Sequence, residues 1–260
     1  MQRLLLQFAV FVVLAGLLRS YRVGRTVTTM MASKYLGKAP VFVAGGSRGV
    51  GLEVVKKLSA LGTPVHALVR RSESVAELSQ LPGVKAVIGD AMDEAAVQSC
   101  MEGCVAAVTT LGGKPDEGKQ RVDYMGNSNV IEQAGILGVE RIVLVTSVGC
   151  GSTKGAVSQQ VYQVLEDALL AKNKAERDLR TYTNLDWTII RPGGLKSEPA
   201  TGKAILTADT MASGVINRVD VADLVVQVLG STTCTRKELT AVDPSQPSPY
   251  NIAASAAHAL

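Results

Sequence analysis

The sequence has few of the side chains that build metal sites or disulfide frameworks. Its 260 residues include only four cysteines and two histidines. Cys100 and Cys104 do not form a C-x-x-C pair, and no histidine lies near them in the sequence. We therefore predict no metal site and no disulfide scaffold, and we expect the cysteines to be buried thiols.

Acidic residues are absent before Glu53, and residues 1–38 of this stretch carry six lysines and arginines. The formal net charge of +4 therefore belongs to the N-terminal segment. Without those six cations, 21 basic residues face 23 acidic ones, a net charge of about −2. No basic stripe with interleaved aromatic residues follows, so the sequence predicts no nucleic-acid partner.

Long apolar runs are also absent, apart from residues 4–18, and that run is short for a bilayer. Residues 19–38 are rich in Arg, Ser and Thr and contain no acid. A signal-like segment (1–18) followed by a transit-like segment (19–38) predicts a targeting leader over residues 1–38. The combination is typical of import into a plastid, including a complex algal plastid. A mitochondrial or secretory-pathway leader, or a short membrane anchor, stays an alternative.

Short β-branched runs alternate with longer amphipathic segments after the leader. This alternation predicts an α/β fold: a Rossmann-type, doubly wound parallel sheet in a single domain over residues 39–243. A disordered tail is expected over residues 244–260. Strands are predicted at 40–44, 65–69, 84–88, 105–108, 141–146, 187–190 and 239–242, and helices at 50–61, 124–137, 157–182 and 221–229.

A glycine-rich segment follows the first predicted strand and opens the first predicted helix. Glycines allow a tight turn and the close approach of a pyrophosphate, which the free N–H groups of the helix N-terminus bind. A purely structural glycine turn is the alternative. The candidate cofactor-binding residues here are Gly45, Ser47, Arg48, Gly49, Val50 and Gly51.

The end of the second predicted strand indicates which dinucleotide would bind. An NAD-binding protein usually has an acid there for the ribose 2′-OH, but no acid occurs between Glu53 and Glu73. Arg70 and Arg71 stand at the place of a 2′-phosphate, and Arg48 could reach the same group. We therefore predict NADP(H) in preference to NAD(H), with Arg70 as a binding residue. The alternative is that these arginines are solvated surface charges.

Several blocks together resemble the atypical short-chain dehydrogenase/reductases of the NmrA-like NAD(P)-binding family. The resemblance covers residues 39–242 and extends to biliverdin reductase B-like flavin reductases and plastid TIC 62-like proteins. Besides the glycine loop, the blocks are residues 89–93, 122–127, 138–147, 172–176, 188–195 and 216–222.

The resemblance implies roles for individual positions. It places Asp90 and Ala91 against the adenine, and Leu111 and Gly112 along the cofactor channel. Asp90 as a helix cap is the alternative. Three further positions would close over the carboxamide end: Pro192, Gly193 and Leu195.

Two residues are candidates for both cofactor binding and catalysis. The resemblance places Ser147 facing the nicotinamide and lets Lys172 reach the nicotinamide ribose; a surface lysine is the alternative for Lys172. The sequence departs from many family members, because it contains no Tyr-x-x-x-Lys pair for acid–base chemistry. Tyr162 precedes Lys172 by too many residues. Hydride transfer to a flavin or quinone needs less help from the protein.

The sequence thus predicts an NADP(H)-dependent oxidoreductase that acts on a flavin, a quinone or another small-molecule acceptor. The alternative is a non-catalytic NADPH-binding scaffold, sensor or assembly factor in an organelle, with a peripheral membrane or flavoprotein partner. The segment 245–250 faintly resembles the Ser/Pro repeats with which TIC 62-like proteins bind a flavoprotein reductase, although a disordered tail explains it as well. A sugar-nucleotide epimerase-like enzyme is a weaker alternative.

Overall fold

Eight strands lie side by side in the central sheet of the computed structural model, which describes residues 35–37, 39–113 and 121–247. The sheet order is β3-β2-β1-β4-β5-β6-β10-β8, and only β8 runs antiparallel to its neighbour. The strands β7 and β9 pair separately. The bounds are β1 Val41–Ala44, β2 Val65–Val69, β3 Val84–Ile88, β4 Ala106–Thr109, β5 Arg141–Val145, β6 Asp186–Pro192, β7 Gly194–Lys196, β8 Ile205–Thr207, β9 Val215–Asn217 and β10 Lys237–Val242.

Helices cover both faces of this sheet. Successive strand residues point to opposite faces, so Val41 and Val43 of β1 join one apolar cluster while Phe42 and Ala44 join the other. The first cluster takes in the helices of residues 49–60, 72–78 and 218–230, and the second takes in the helices of residues 94–101, 125–136 and 159–181. The fold is therefore the predicted doubly wound parallel sheet. The helices are α1 Gly49–Ala60, α2 Ser72–Leu78, α3 Glu94–Met101, α4 Met125–Ile136, α5 Gln159–Thr181 and α6 Arg218–Gly230, with a 3₁₀ segment at Gly151–Ala156.

All seven predicted strands and all four predicted helices are present, with small shifts at their ends. Two short helices, α2 and α3, and three short strands, β7, β8 and β9, were not predicted from the sequence. The sequence does contain a signal for the start of α3, because Asp is a preferred N-cap residue. In the structure, Oδ1 of Asp93 accepts hydrogen bonds from the backbone N–H groups of Ala95 and Ala96 at 3.0 and 3.4 Å. The three-residue strands β7, β8 and β9 are too short to show a periodicity.

The structure describes a few residues on either side of the predicted domain, residues 39–243. The hydroxyl of Tyr35 donates to Oδ2 of Asp186 at 3.4 Å, and the backbone N–H of Gly37 donates to Thr63. At the other end, Gln246 is buried. The remainder of the leader and of the tail lies outside the described residues. Within the described part of the chain, no helix is long and apolar enough to span a membrane.

All four cysteines are buried and free. Burial raises the pKa of Cys100 and of Cys104 to about 12, so both are thiols at neutral pH. The fold nevertheless brings a histidine to this pair, which the sequence spacing did not show. Nδ1 of His66 lies 3.4 Å from Sγ of Cys104 and 2.9 Å from the carbonyl oxygen of Cys100.

Candidate functional site

A cavity of about 360 Å³ lies across the carboxyl ends of β1 to β5. The sheet order reverses direction between β1 and β4, which is where doubly wound sheets bind their ligands. Five adjacent strands span four spacings of about 4.8 Å, roughly 19 Å in all, which suits an extended dinucleotide. Thirteen of the sixteen predicted site residues line this cavity: Gly45, Ser47, Arg48, Gly49, Val50, Arg70, Asp90, Ala91, Leu111, Gly112, Ser147, Lys172 and Leu195.

The glycine loop has a shape that other residues would not adopt. Gly45 and Gly49 have φ angles of +83° and +59°, a region that side chains disfavour. Gly51 does not line the cavity, but a Cβ atom there would lie 2.2 Å from the carbonyl oxygen of Gly45. This contact packs α1 tightly against the end of β1. Arg48 precedes α1 and gives it no side-chain cap, so the first N–H groups of the helix stay available to an anion.

Three arginines line the cavity: Arg48, Arg70 and Arg218. Arg48 and Arg70 were both predicted to contact the cofactor, whereas Arg71 does not line the cavity. The third, Arg218, is the first residue of α6, and no role was predicted for it from the sequence. Its Nε atom lies 3.7 Å from the position that a Cβ would take at Gly49. The family-like segment 216–222, which contains Arg218, was recognised in the sequence. Only the fold shows that Arg218 lies next to the glycine loop.

Arg218 also contacts the segment that follows β6. Its Nη1 atom donates to the hydroxyl of Ser197 at 2.8 Å and to the carbonyl oxygen of Leu195 at 3.3 Å. Leu195 itself lines the cavity. Arg218 thus lies next to both the glycine loop and the segment that follows β6.

The turn after β3 forms the outer end of the cavity. Oδ1 of Asp90 accepts from the backbone N–H of Met92 at 3.0 Å and thereby closes a local turn. The cap of α3 is Asp93, so the alternative interpretation of Asp90 as the helix cap is wrong. The carbonyl oxygen of Ala91 accepts from Nδ2 of Asn129 at 2.9 Å, which fixes this turn to α4.

Lys172 lies inside the cavity rather than on the charged surface of α5, because only 13% of its side chain is exposed. Its Nζ atom donates to the carbonyl oxygen of Leu111 at 3.0 Å and lies 3.4 Å from Oδ1 of Asp123. Asp123 is itself held by Arg121, whose Nη2 atom lies 2.9 Å from Oδ2. These contacts fix the ammonium group at the end of β4. The alternative of a free surface lysine is therefore wrong.

Ser147, which lies two residues after β5, is shared by two cavities. It lines the first cavity and also a second one of about 200 Å³. Its hydroxyl donates to the carbonyl oxygen of Val148 at 2.9 Å. Pro192 and Gly193 line only the second cavity, so they adjoin the predicted site without forming the wall of its main part.

No tyrosine lines either cavity among the described residues. Tyr162 lies on the first turn of α5, where Nζ of Lys154 is 4.4 Å from the centre of its ring. It therefore packs against a lysine of the 3₁₀ segment and is not paired with Lys172.

A family model described as NAD(P)H-binding matches residues 45–232 of the chain. An uncharacterized chloroplastic protein of Arabidopsis thaliana is 31% identical over 201 residues, covering 73% of this chain and 71% of that protein. The chloroplastic protein TIC 62 of Pisum sativum is 27% identical over 261 residues. The match covers 82% of this chain but only 48% of TIC 62.

Among solved structures, the anaerobillin reductase ChuY of Escherichia coli O157:H7 superimposes with a TM-score of 0.73 at 29% sequence identity. The match covers 80% of this chain and 98% of ChuY. The glycine loop and every residue that lines the cavity except Ala44 lie within the residues that the family model matches. The resemblance seen in the sequence motifs is confirmed, and the chain belongs to the NAD(P)H-binding family of Rossmann-fold proteins.

Proposed function

We propose that this chain is an NADP(H)-dependent reductase that transfers a hydride to a small organic acceptor such as a flavin or a quinone. One observation carries the proposal. A single cavity joins a glycine loop, a group of arginines and the pair Ser147 and Lys172, and a second cavity begins at Ser147. The reductase named among the solved structures of similar fold supports the same class of reaction.

The preference for NADP(H) is supported by charge at the end of β2. Arg70 lines the cavity there, and Arg48 faces the same end from the glycine loop. The residues directly after β2 are Arg70, Arg71 and Ser72, so no acid is placed to accept from a ribose 2′-OH. Guanidinium groups bind a phosphate through charge-assisted hydrogen bonds, which favours the phosphorylated ribose.

The residues near Ser147 are suited to holding and orienting the cofactor and the acceptor, and not to exchanging a proton with them. Bound NADPH supplies a hydride, so the protein's part is to position the two reactants. Leu111 and Asp123 fix Lys172 in the cofactor cavity, where we expect it to donate to the ribose hydroxyls. The lining of both cavities offers no tyrosine as a general acid in the described residues. An acceptor that takes its proton from water suits such a site.

We further propose a plastid location. The chloroplastic relatives support it, as does the transit-like composition of residues 19–38. Imaging a fluorescent protein fused to the full chain would distinguish a plastid location from a mitochondrial or secretory-pathway location.

Turnover tests the proposal against a non-catalytic scaffold. The full chain is mixed with NADPH and with FMN, riboflavin or a soluble quinone, and NADPH oxidation is followed at 340 nm. We expect turnover with at least one acceptor, and a loss of at least about tenfold in the Lys172→Met variant. Tight NADPH binding without turnover on any acceptor would favour the scaffold or sensor instead. A stable flavoprotein or membrane partner that is captured only with NADPH would support that alternative.

A further inference from the structure

The second cavity adjoins the cofactor cavity and shares Ser147 with it. It lies where the 3₁₀ segment and the start of α5 face the turn between β6 and β7. Because hydride transfer requires the donor and acceptor atoms to lie within about 3–3.5 Å, an acceptor must reach the cavity wall that Ser147 forms. The second cavity begins at this wall, because Ser147 lines both cavities. Its lining includes Val148, Ala156, Val157, Val161, Leu165 and Pro192.

The lining of this cavity carries no charge among the described residues, and its polar side chains are three serines. All three are engaged in contacts within the protein. Ser147 donates to the carbonyl oxygen of Val148, and Ser158 accepts from the backbone N–H of Val161 at 3.3 Å. A carboxylate or phosphate buried here would have no cation to pair with, which is costly. The cavity therefore suits an uncharged group.

The size of the cavity limits how much of an acceptor it can hold. Pockets that enclose a drug-sized ligand measure about 300–1,000 Å³, whereas this one measures about 200 Å³. It has room for a head group of one or two rings. The remainder of a larger acceptor must lie outside, on the surface next to the opening.

That surface is apolar. Leu165 lines the cavity and is 40% exposed, and Val164 beside it is 85% exposed. Both lie within four residues of Val161, so the three side chains form one stripe along α5. Met211, which is 43% exposed, lies over Gly155 next to the cavity, with its Sδ atom 3.4 Å from the position of a Cβ at Gly155. An apolar stripe that is continuous with an apolar cavity indicates an apolar ligand that covers both.

We propose that the second cavity takes the ring of an uncharged quinone and that the α5 stripe takes a hydrocarbon chain attached to that ring. This inference rests on the proposed reductase function. In the reaction the quinone gains a hydride from NADPH and one proton from water and becomes a hydroquinone. NADPH loses two electrons and one proton and becomes NADP⁺, so atoms and electrons balance.

Calorimetric binding to the full chain saturated with NADP⁺ tests this proposal, because oxidised cofactor and oxidised quinone do not react. The probes are 2,3-dimethoxy-5-methyl-1,4-benzoquinone, the same ring with a decyl chain, and 1,4-naphthoquinone-2-sulfonate. We expect the decyl compound to bind at least about tenfold more tightly than the short one, since each buried methylene adds affinity. The sulfonate should bind more weakly than either. Equal affinities, or tighter binding of the sulfonate, would overturn the proposal.

Variants on α5 locate the binding. In the double variant Val164→Gln/Leu165→Gln, both changed side chains are exposed, and the decyl compound should bind about as weakly as the short ring. Leu170→Gln is the matched control, because Leu170 is 46% exposed on the same helix but does not line the cavity. Val161→Phe should fill the cavity and weaken both compounds while NADP⁺ affinity is retained. Unchanged quinone binding in the double variant and in Val161→Phe would contradict the site.

The same titrations separate this proposal from the reductase proposal. A chain that binds no NADP⁺ contradicts both. A chain that binds NADP⁺ and reduces FMN, but shows no preference for the decyl compound, contradicts the quinone site alone.

Discussion

At the scale of single residues, Arg70 and Arg71 are a matched pair for testing the choice of cofactor. Both are exposed, but only Arg70 lines the cavity. Arg70→Gln should weaken NADPH binding about tenfold to a hundredfold and leave NADH binding unchanged, because a charge-assisted contact to the 2′-phosphate is lost. Arg71→Gln should change neither. Equal losses for NADPH and NADH in Arg70→Gln would show that Arg70 does not read the 2′-phosphate.

We expect a different result for Arg218, because it lies beside Gly49 and not at the end of β2. There it would contact the pyrophosphate, which NADPH and NADH share. Arg218→Gln should therefore weaken both dinucleotides by a similar factor, about tenfold. A titration of each dinucleotide against both variants, with Arg71→Gln again as the control, checks this. A loss confined to NADPH would place Arg218 at the 2′-phosphate instead.

At the scale of secondary-structure elements, the contact between α1 and the end of β1 depends on Gly51. A Cβ there would collide with the carbonyl oxygen of Gly45, which is backbone and cannot move aside cheaply. Gly51→Ala should cost about 2–4 kcal/mol of unfolding free energy and lower the melting temperature by roughly 5–10 °C. At Gly113 a Cβ would meet its nearest neighbour, Cγ1 of Val122, at 4.0 Å, so Gly113→Ala should be almost neutral. Similar melting temperatures for the two variants would contradict this packing.

The elements predicted from the sequence are those with a clear hydrophobic pattern, and the elements without such a pattern were not predicted. The strands of the parallel sheet are short runs of buried β-branched residues, which the pattern shows directly. The pairs β7–β9 and β8–β10 depend on contacts between distant segments, and no local pattern encodes them. For the same reason the motifs supplied Gly45, Arg70 and Lys172, whereas Arg218 and the second cavity became visible only in the folded chain.

At the scale of the whole molecule, a buried ionic network ties α5 to β6 and β10. Glu176 is fully buried and accepts from Nε of Arg191 at 3.0 Å and from the hydroxyl of Thr146 at 2.8 Å. Glu238 bridges Arg191 and Arg180, each at 2.6 Å. Because Thr146 also lines the cofactor cavity, the network supports the wall from which Ser147 extends.

This network makes stability depend on pH. Burial raises the pKa of Glu238, but the hydrogen bond from Arg180 and the charges of Arg191 and Arg180 outweigh it and hold that pKa below its usual value of 4.5. The carboxylate therefore stabilises the fold at pH values above 4.5, and this contribution is lost as the pH falls through the lowered pKa. Urea unfolding should show Glu238→Gln less stable than the parent at pH 7, with the difference shrinking below pH 4.5. A difference that grows in acid would contradict the assignment.

The central claim is that the cavity across β1 to β5 binds NADP(H), and equilibrium binding tests it most directly. The full chain is titrated with NADPH and, separately, with NADH under identical salt conditions. We expect NADPH to bind with a micromolar or lower Kd and NADH to bind at least about tenfold more weakly. Binding of neither dinucleotide, or tighter binding of NADH, would contradict the account of the glycine loop and of Arg70.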